Sequence, residues 1–213
     1  MSALPDPSRL PGVWRGGSLD ASVPPGIPTG HARLDLELPG GGLPPAGLVE
    51  VLHDNVGLGE VSLLSGALAH LAREGRAIAW VNPPHLPYAP ALAAMGVPLE
   101  ACLVVRPASP EDTLWSADQA LRSGACGAAL LWLPPRVDYA SLRRLHLAAE
   151  AGRTLAVLFR PASCLAQTSP APLRLVVTRR GPHLALSIPK RRGPPLSSAF
   201  TLRHPGLPAA LAA

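Results

Sequence analysis

Residues Asp54-Asn55-Val56-Gly57-Leu58-Gly59-Glu60-Val61 stand in the frame of a phosphate-binding loop, GxxxxGK[ST], with its chemistry altered at nearly every functional position. In a loop of that form, backbone N–H groups cradle phosphate oxygens, the Lys neutralises charge and the hydroxyl holds magnesium. Here the second glycine survives as Gly59, Asp54 replaces the first, Glu60 fills the Lys position and Val61 fills the Ser/Thr position. Val61 cannot ligate a metal, and two carboxylates facing a polyanion in a partly desolvated pocket repel it. The expectation is a degenerate loop with no bound ATP, no cofactor and no ATPase activity. Gly57 and Gly59 keep the means to offer N–H groups to an anion, but the opposing acids favour the plainer role of a tight turn.

Other reactive side chains form no recognisable set. His31, His53, His85 and His183 fall in loops without an i, i+4 His partner or nearby Cys and carboxylate at ligand spacing, so no metal is assigned. Ser65, Ser141 and Ser163 lack a nucleophile elbow. Cys102, Cys126 and Cys164 are odd in number, too far apart for CxxC and flanked by apolar residues, which reads as buried free thiols in a reducing cytoplasm. Trp80 and Trp132 end apolar runs and are expected in the core rather than as a base-stacking platform. Tyr88, among prolines after a strand, is the best candidate for a partner-contact loop.

Basic residues gather in the last third: Arg174, Arg179, Arg180, Lys190, Arg191 and Arg192. Arg179-Arg180 is expected in a turn and Lys190-Arg191-Arg192 after the next strand, roughly 25 Å away at about 3.3 Å per residue. The two groups are candidates for contact with DNA backbone or an acidic partner, against the alternative of solubilising charge. Arg143 and Arg144 are expected on the solvated face of a helix.

The elements that must carry these residues alternate. Leu48 to Leu52 reads as a strand entering the loop, and Val61 to Arg73 as a helix with Leu64, Leu68 and Leu71 on one face. Ala77 to Val81 and Leu103 to Arg106 read as strands, separated by Pro83, Pro84, Pro87 and Pro90, which forbid a long helix until about Ala89. Ser109-Pro110-Glu111-Asp112 opens a helix that Gly124 ends, with Leu114, Ala117 and Leu121 on one face. Ala128 to Leu133 is a strand, Tyr139 to Ala151 a helix capped by Asp138, and Leu155 to Phe159 a strand. Such alternation implies an α/β domain, a mostly parallel sheet with helices on both faces. Leu173 to Thr178 and Leu184 to Ile188 around Arg179-Arg180-Gly181-Pro182 add a C-terminal antiparallel hairpin.

With 213 residues, 47% of them hydrophobic and 15% charged, the chain can bury one substantial core. Residues 1–26 are rich in Pro, Gly and Ser and read as a flexible arm with Val13 and Trp14 as its docking residues; residues 27–192 form the core domain and 193–213 a flexible tail whose Leu202, Leu207 and Leu211 suit folding on a partner. The net charge of +5 rests on Arg in an Ala, Pro and Gly-rich chain and is a weak indication of nucleic-acid binding. No signal-like or membrane-length apolar run occurs, so a cytoplasmic protein is expected.

Pro28-Thr29-Gly30, Leu34-Asp35, Gly40-Gly41-Gly42-Leu43-Pro44, Gly47 and Val49-Glu50 resemble the segment that leads into the phosphate loop of RecA recombinases. A broader resemblance, through GVWRGG, IPTG, LPGGGLP, RAIAWVNPPHLPYAPALAAMG, SPEDTLWSADQALRSGACGAALLW and YASLRRLHLAAEAG, is to the ImuA family, RecA-like partners of a damage-inducible mutagenesis cassette that are also described as SulA-like. It implies an SOS-induced translesion-synthesis accessory working with ImuB, RecA and the error-prone replicative polymerase subunit, with direct DNA contact at most weak. The RecA enzymes also need acids after two core strands; Ala79-Trp80-Val81-Asn82-Pro83-Pro84 and Leu130-Leu131-Trp132-Leu133-Pro134-Pro135 contain none, which adds to the expectation of a pseudo-ATPase. The rival implications are a SulA-like division inhibitor that acts on FtsZ, and a divergent ATPase.

Overall fold

Runs of β-branched and leucine residues too short for helices are stable only when both faces of the strand they form are covered. In the computed structural model, which describes residues 23–54, 57–134, 136–181, 183–194, 196 and 198–203, those runs lie side by side in one eight-stranded sheet. The strands are β1 (Gly47–His53), β2 (Ala77–Val81), β3 (Cys102–Val105), β4 (Cys126–Trp132), β5 (Leu155–Pro161), β6 (Leu173–Arg180), β7 (His183–Lys190) and β8 (Phe200–Arg203). Their spatial order is β3-β2-β4-β5-β1-β6-β7-β8. Pairing is parallel from β3 through β6 and antiparallel for β6–β7 and β7–β8. The fold is therefore mixed α/β, mostly parallel, with C-terminal antiparallel strands.

The helices are α1 (Ala32–Glu37), α2 (Ser65–Arg73), α3 (Ala89–Ala94), α4 (Pro110–Arg122) and α5 (Tyr139–Ala151). Alternation along each strand sends successive residues to opposite faces. Val49, Val51, Ile78 and Leu130 pack with Leu64, Leu68 and Leu71 of the α2 region, whereas Leu48, Ala79, Leu131 and Leu158 pack with Leu121 of α4 and Leu142 and Leu145 of α5. Both expected caps form: the Ser109 hydroxyl accepts the Asp112 N–H at 3.0 Å, and the Asp138 carboxylate accepts the Ser141 N–H at 2.7 Å.

Four expectations change. The helix expected from Val61 opens as a 3-10 turn, Val61–Leu64, and becomes α-helical at Ser65. Arg179 and Arg180 are not turn residues: they pair in β6 with Leu184 and His183, and Gly181 follows them in the turn, while Pro182 lies outside the described residues. The stretch expected as a tail contributes β8, and Leu202 is buried there, because β7 would otherwise present an open edge. At the other end, Gly26 already donates to the Gly40 carbonyl at 2.8 Å, so order begins before residue 27; Val13, Trp14, Leu207 and Leu211 lie outside the described residues.

One charge is held inside the sheet. Glu50, fully buried in β1, accepts Arg160 Nη1 of β5 at 3.1 Å and Arg174 Nε of β6 at 2.6 Å. It lies on the α4–α5 face, in the part where a short 3-10 turn, Ala162–Ala166, provides cover instead of a helix. Arg174 binds that turn through the carbonyls of Cys164, Leu165 and Gln167 at 2.8, 3.0 and 3.2 Å, and Arg160 donates to the Gln167 side chain at 2.8 Å. Arg174 thus leaves the expected basic surface group: its charge is spent inside.

At the start of β1, His146 of α5 accepts the Leu48 N–H through Nδ1 at 3.1 Å. Burial lowers the imidazole pKa below its ordinary 6.5; the nearby Glu150 carboxylate opposes this, and Arg192, Arg143 and Lys190 add to it. The folded chain therefore binds fewer protons at this site than the unfolded chain.

Two outcomes follow for unfolding in urea. Glu50→Gln leaves two buried guanidinium groups without a counter-charge and is expected to cost about 3–5 kcal/mol, whereas Glu50→Leu with Arg160→Met and Arg174→Met is expected to recover most of that loss. For His146, stability is complete above the ordinary value of 6.5 and is lost as pH falls through the lower folded value. His146→Gln should flatten that part of the pH profile while Lys and Asp controls elsewhere leave it unchanged.

Candidate functional site

The loop after β1 opens onto a cleft of about 690 Å³ at the carboxyl edge of the sheet. It is lined by Gly57, Gly59, Glu60, Val61 and Ser62 of the loop and the turn after it, by Gly30, Ser65 and Gly66, and by Ala91 and Ala94 of α3 with its C-cap Met95. Glu60 is the single charged side chain among those lining residues. Ligands of open α/β sheets bind at this edge, so the position is that of a ligand site, while its lining is glycine, serine and alanine with Val61, Met95 and one acid.

Glu60 does not simply face outward as a repelling charge. It is buried, and its Oε1 accepts the Gly57 N–H at 3.2 Å. A carboxylate of the chain itself thus occupies a backbone donor of the kind that would otherwise cradle a phosphate oxygen. Its Oε2 is also buried, and no hydrogen-bond partner is placed on it among the described residues. Gly57 and Gly59 adopt φ of +82° and +94°, the left-handed region, and Ser62 closes the turn by donating through N and Oγ to the Gly59 carbonyl. Val61 is half-buried at the start of the 3-10 turn, and Asp54 is exposed and does not line the cleft; Asn55 and Val56 lie outside the described residues.

The helix that follows the loop is clamped from outside. The Thr29 carbonyl accepts the Gly66 N–H at 3.0 Å, and a Cβ at position 66 would lie 2.5 Å from that oxygen. Thr29 is itself fixed by Asp35, whose Oδ1 accepts the Thr29 N–H at 2.9 Å and the Thr29 hydroxyl at 2.8 Å. The Thr29-Gly30 and Leu34-Asp35 pairs noted in the sequence are one hydrogen-bonded knot that seats α2.

Beside the cleft, at the ends of the strands where acids are missing, neutral side chains hold the backbone. Asn82, with φ of +55°, donates its backbone N–H to Val105 at 2.8 Å and its side-chain amide to the Trp132 carbonyl at 3.1 Å, joining the ends of β2, β3 and β4. Trp132 is stacked on Trp80 on one side, 6.0 Å between centroids at 11°, and on Phe159 on the other, 4.6 Å at 14°. Both indole faces are covered, so these rings serve packing, as expected, rather than base stacking.

The other candidates separate. Tyr88, at the N-cap of α3, is 72% exposed beside the equally open Leu86. Arg179 and Arg180 are exposed at the carboxyl edge of the sheet, and Lys190 and Arg192 at the amino edge, the opposite ends of β7. Arg191 is not available: its side chain is 6% exposed and binds the Glu37 carboxylate at 3.0 Å and the Glu37 carbonyl at 2.6 Å. Sequence reasoning missed Trp115, 65% exposed on α4, and the exposed Leu103 and Val104 of β3, which pairs only with β2. The helical spacing of Ala117 and Leu121 places position 115 outward and is the signal that was there. For β3 there was none, because an edge strand and a central one share the same apolar run.

Cys126 and Cys164 are buried free thiols and Cys102 is half-buried; burial raises the pKa of Cys102 and Cys126. Among the described residues, no three His, Cys, Asp or Glu side chains are placed to hold a metal, and no helix is long and apolar enough to cross a membrane.

Fold and site together define a mixed α/β protein with a mostly parallel sheet, whose glycine-turned loop after β1 opens on a cleft at the carboxyl edge. Residues 48–156, just over half of the chain, match the family model described as Cell division inhibitor SulA, and the chain belongs to the SulA family. It is 36% identical over 99 residues to Cell division inhibitor SulA of Edwardsiella piscicida, covering 46% of this chain and 58% of that protein. It is 34% identical over 113 residues to Protein RecA of Clavibacter michiganensis, covering 53% of this chain and 31% of that one. The solved structure of SulA from Pseudomonas aeruginosa aligns at 23% identity and a TM-score of 0.44 over 53% of this chain and 97% of that chain. The matches to the Edwardsiella piscicida SulA and the Clavibacter michiganensis RecA span less than two thirds of the length of those proteins.

The clamp on α2 gives a direct prediction. Gly66→Ala forces apart the Thr29 carbonyl and the helix and is expected to destabilise by about 1–3 kcal/mol; Ser65→Ala, one residue away and without that contact, should unfold at nearly the wild-type urea midpoint.

Proposed function

We propose that this protein is a non-catalytic, RecA-like adaptor of the SOS response that serves error-prone translesion synthesis by binding ImuB and RecA. The observation that carries the reading is the Glu60 carboxylate seated on the Gly57 N–H: the loop's anion-binding donor is already used by an acid of the chain. Together with Val61 in place of a metal-holding hydroxyl, it favours a protein that presents surfaces without turning over nucleotide. Similarity to both SulA and RecA proteins supports a RecA-related origin. Tyr88 and Leu86 at the carboxyl edge, with Leu103 on β3, are the surfaces favoured for partner contact.

A second reading, a cell-division inhibitor acting on FtsZ, is favoured by the family match itself. Against it stands the extent of the match, which ends at residue 156 and leaves most of β5 and the whole β6–β8 extension, including Arg174 and its hold on Glu50, outside the shared segment.

Affinity purification of the tagged protein from cells after DNA damage separates the two. Recovery of ImuB or RecA, lost in Tyr88→Ala, is the expected result; recovery of FtsZ alone, with filamentation on overproduction, establishes the inhibitor reading and overturns the adaptor. Calorimetric titration with Mg-ATP is expected to give no saturable heat, and saturable binding abolished by a Gly59 substitution would instead establish a divergent ATPase.

A further inference from the structure

At the amino edge of the sheet, opposite the glycine loop, a second cavity of about 300 Å³ opens between the starts of β1 and β6. Its walls are Pro24, Pro44, Pro45, Ala46, Pro172 and Leu173, with His146 and Glu150 of α5 and Arg191 and Arg192 at the rim. Proline rings have no rotamer freedom to lose, so the apolar part is formed before anything binds. The volume lies at the bottom of the roughly 300–1,000 Å³ range of small-molecule pockets, enough for one large side chain and too little for a nucleotide.

The polar rim has one sign in excess. Arg191 is occupied by Glu37 and by the Pro194 carbonyl at 2.7 Å. Arg192 is exposed, and neither it nor Arg143 has an acidic partner among the described residues. Lys190 donates to the neutral Ser169 carbonyl at 2.8 Å and lies within reach of the buried Glu50 carboxylate and the Arg174 guanidinium. Arg192, Arg143 and Lys190 all bear on His146, against the single carboxylate of Glu150. Because His146 accepts the Leu48 N–H through Nδ1, its Nε2 is the nitrogen that carries hydrogen when the ring is neutral; Glu150 Oε1 lies 3.5 Å from it, too far to satisfy it well.

We propose that this cavity is a docking site for an acidic peptide segment of a partner protein, seating one large apolar side chain between the prolines with flanking carboxylates on Arg192 and its neighbouring cations. A peptide suits the site better than a lone carboxylate because the cations belong to different elements, α5 and the end of β7, and border an apolar hollow that a lone carboxylate would leave empty. The inference is independent of which partner the adaptor reading names.

Fluorescence anisotropy of the full chain with a dye-labelled peptide containing Asp-Glu-Leu-Trp-Asp-Glu tests it. Saturable binding is expected, weakened roughly fivefold by Arg192→Glu and lost in Ala46→Phe, which fills the cavity. The same peptide with Lys for its acids should not bind. Equal binding of the lysine peptide, no binding, or binding unchanged in both variants overturns the proposal. Phenylpropionate binding as tightly as the peptide overturns it in favour of a small-molecule site, and peptide binding seen only in Trp14→Ala does so in favour of the chain's own N-terminal segment. Thermal melting of both variants confirms that they fold, and Arg192→Glu, at the exposed rim, carries the test should Ala46→Phe fail to.

Discussion

The Glu50 carboxylate, fully enclosed in the central strand, is bound by two guanidinium groups that belong to the strands on either side of it. Placing a charge there costs several kcal/mol of lost hydration, and only close, complete pairing offsets it. Two arginines against one glutamate leave a positive charge in excess. It is spread over the carbonyls of Cys164, Leu165 and Gln167, all in or beside the turn that follows β5. The pairing therefore does three things at once. It fixes β6 beside β1, it fixes β5 on the other side, and it draws the turn over a stretch of sheet that no helix covers. The whole antiparallel extension hangs on β6, so the last three strands depend on an interaction centred in the first.

From that fixed strand the chain delivers the loop to the carboxyl edge. Its shape comes from two left-handed glycines and the Ser62 turn, and its interior is taken by Glu60. In a loop with Lys at this position the charge would point to a ligand; with an acid, the nearest available positive potential is that of the loop's own N–H groups, and the side chain turns in. A neutral side chain also serves at the strand ends, where Asn82 ties together β2, β3 and β4 and the stretches 79–84 and 130–135 carry no acid. The architecture of a ligand site is kept, with its polar capacity directed inward.

The alternation of apolar runs, the capped helices α4 and α5 and the final hairpin were legible in the sequence because each rests on local rules of period and capping. Glu50 was not legible as a structural ion pair: its partners are 110 and 124 residues away, and nothing local marks Arg160 or Arg174 as buried. Arg174 and Arg191 were grouped with surface cations because charge in sequence says nothing of which face of β6 Arg174 lies on, or that the distant Glu37 holds Arg191. β8 escaped for a related reason. Its four residues, Phe200–Arg203, have no stability alone and exist because the edge of β7 needs a partner. The residue types of the loop could be read position by position, but not where they point: Asp54 lies outside the cleft and Glu60 turns inward.

The glycines and the Thr-Gly and Leu-Asp pairs that carry the resemblance to RecA prove to be scaffold. A Cβ at Gly42 would lie 2.4 Å from the Ile27 carbonyl, where the two segments bridge through N–H bonds of 2.7 and 2.8 Å, and a Cβ at Gly66 would collide with Thr29. Asp35 is spent on the Thr29 backbone and hydroxyl. None of these residues depends on a nucleotide for its contacts. A chain can therefore exchange the Lys, the hydroxyl and the acids of the loop and still need every one of them to seat α2 against the sheet. Sequence likeness of this kind follows the backbone approach distances and is silent on catalysis, so the similarity to RecA in this segment and the altered loop beside it are not in conflict.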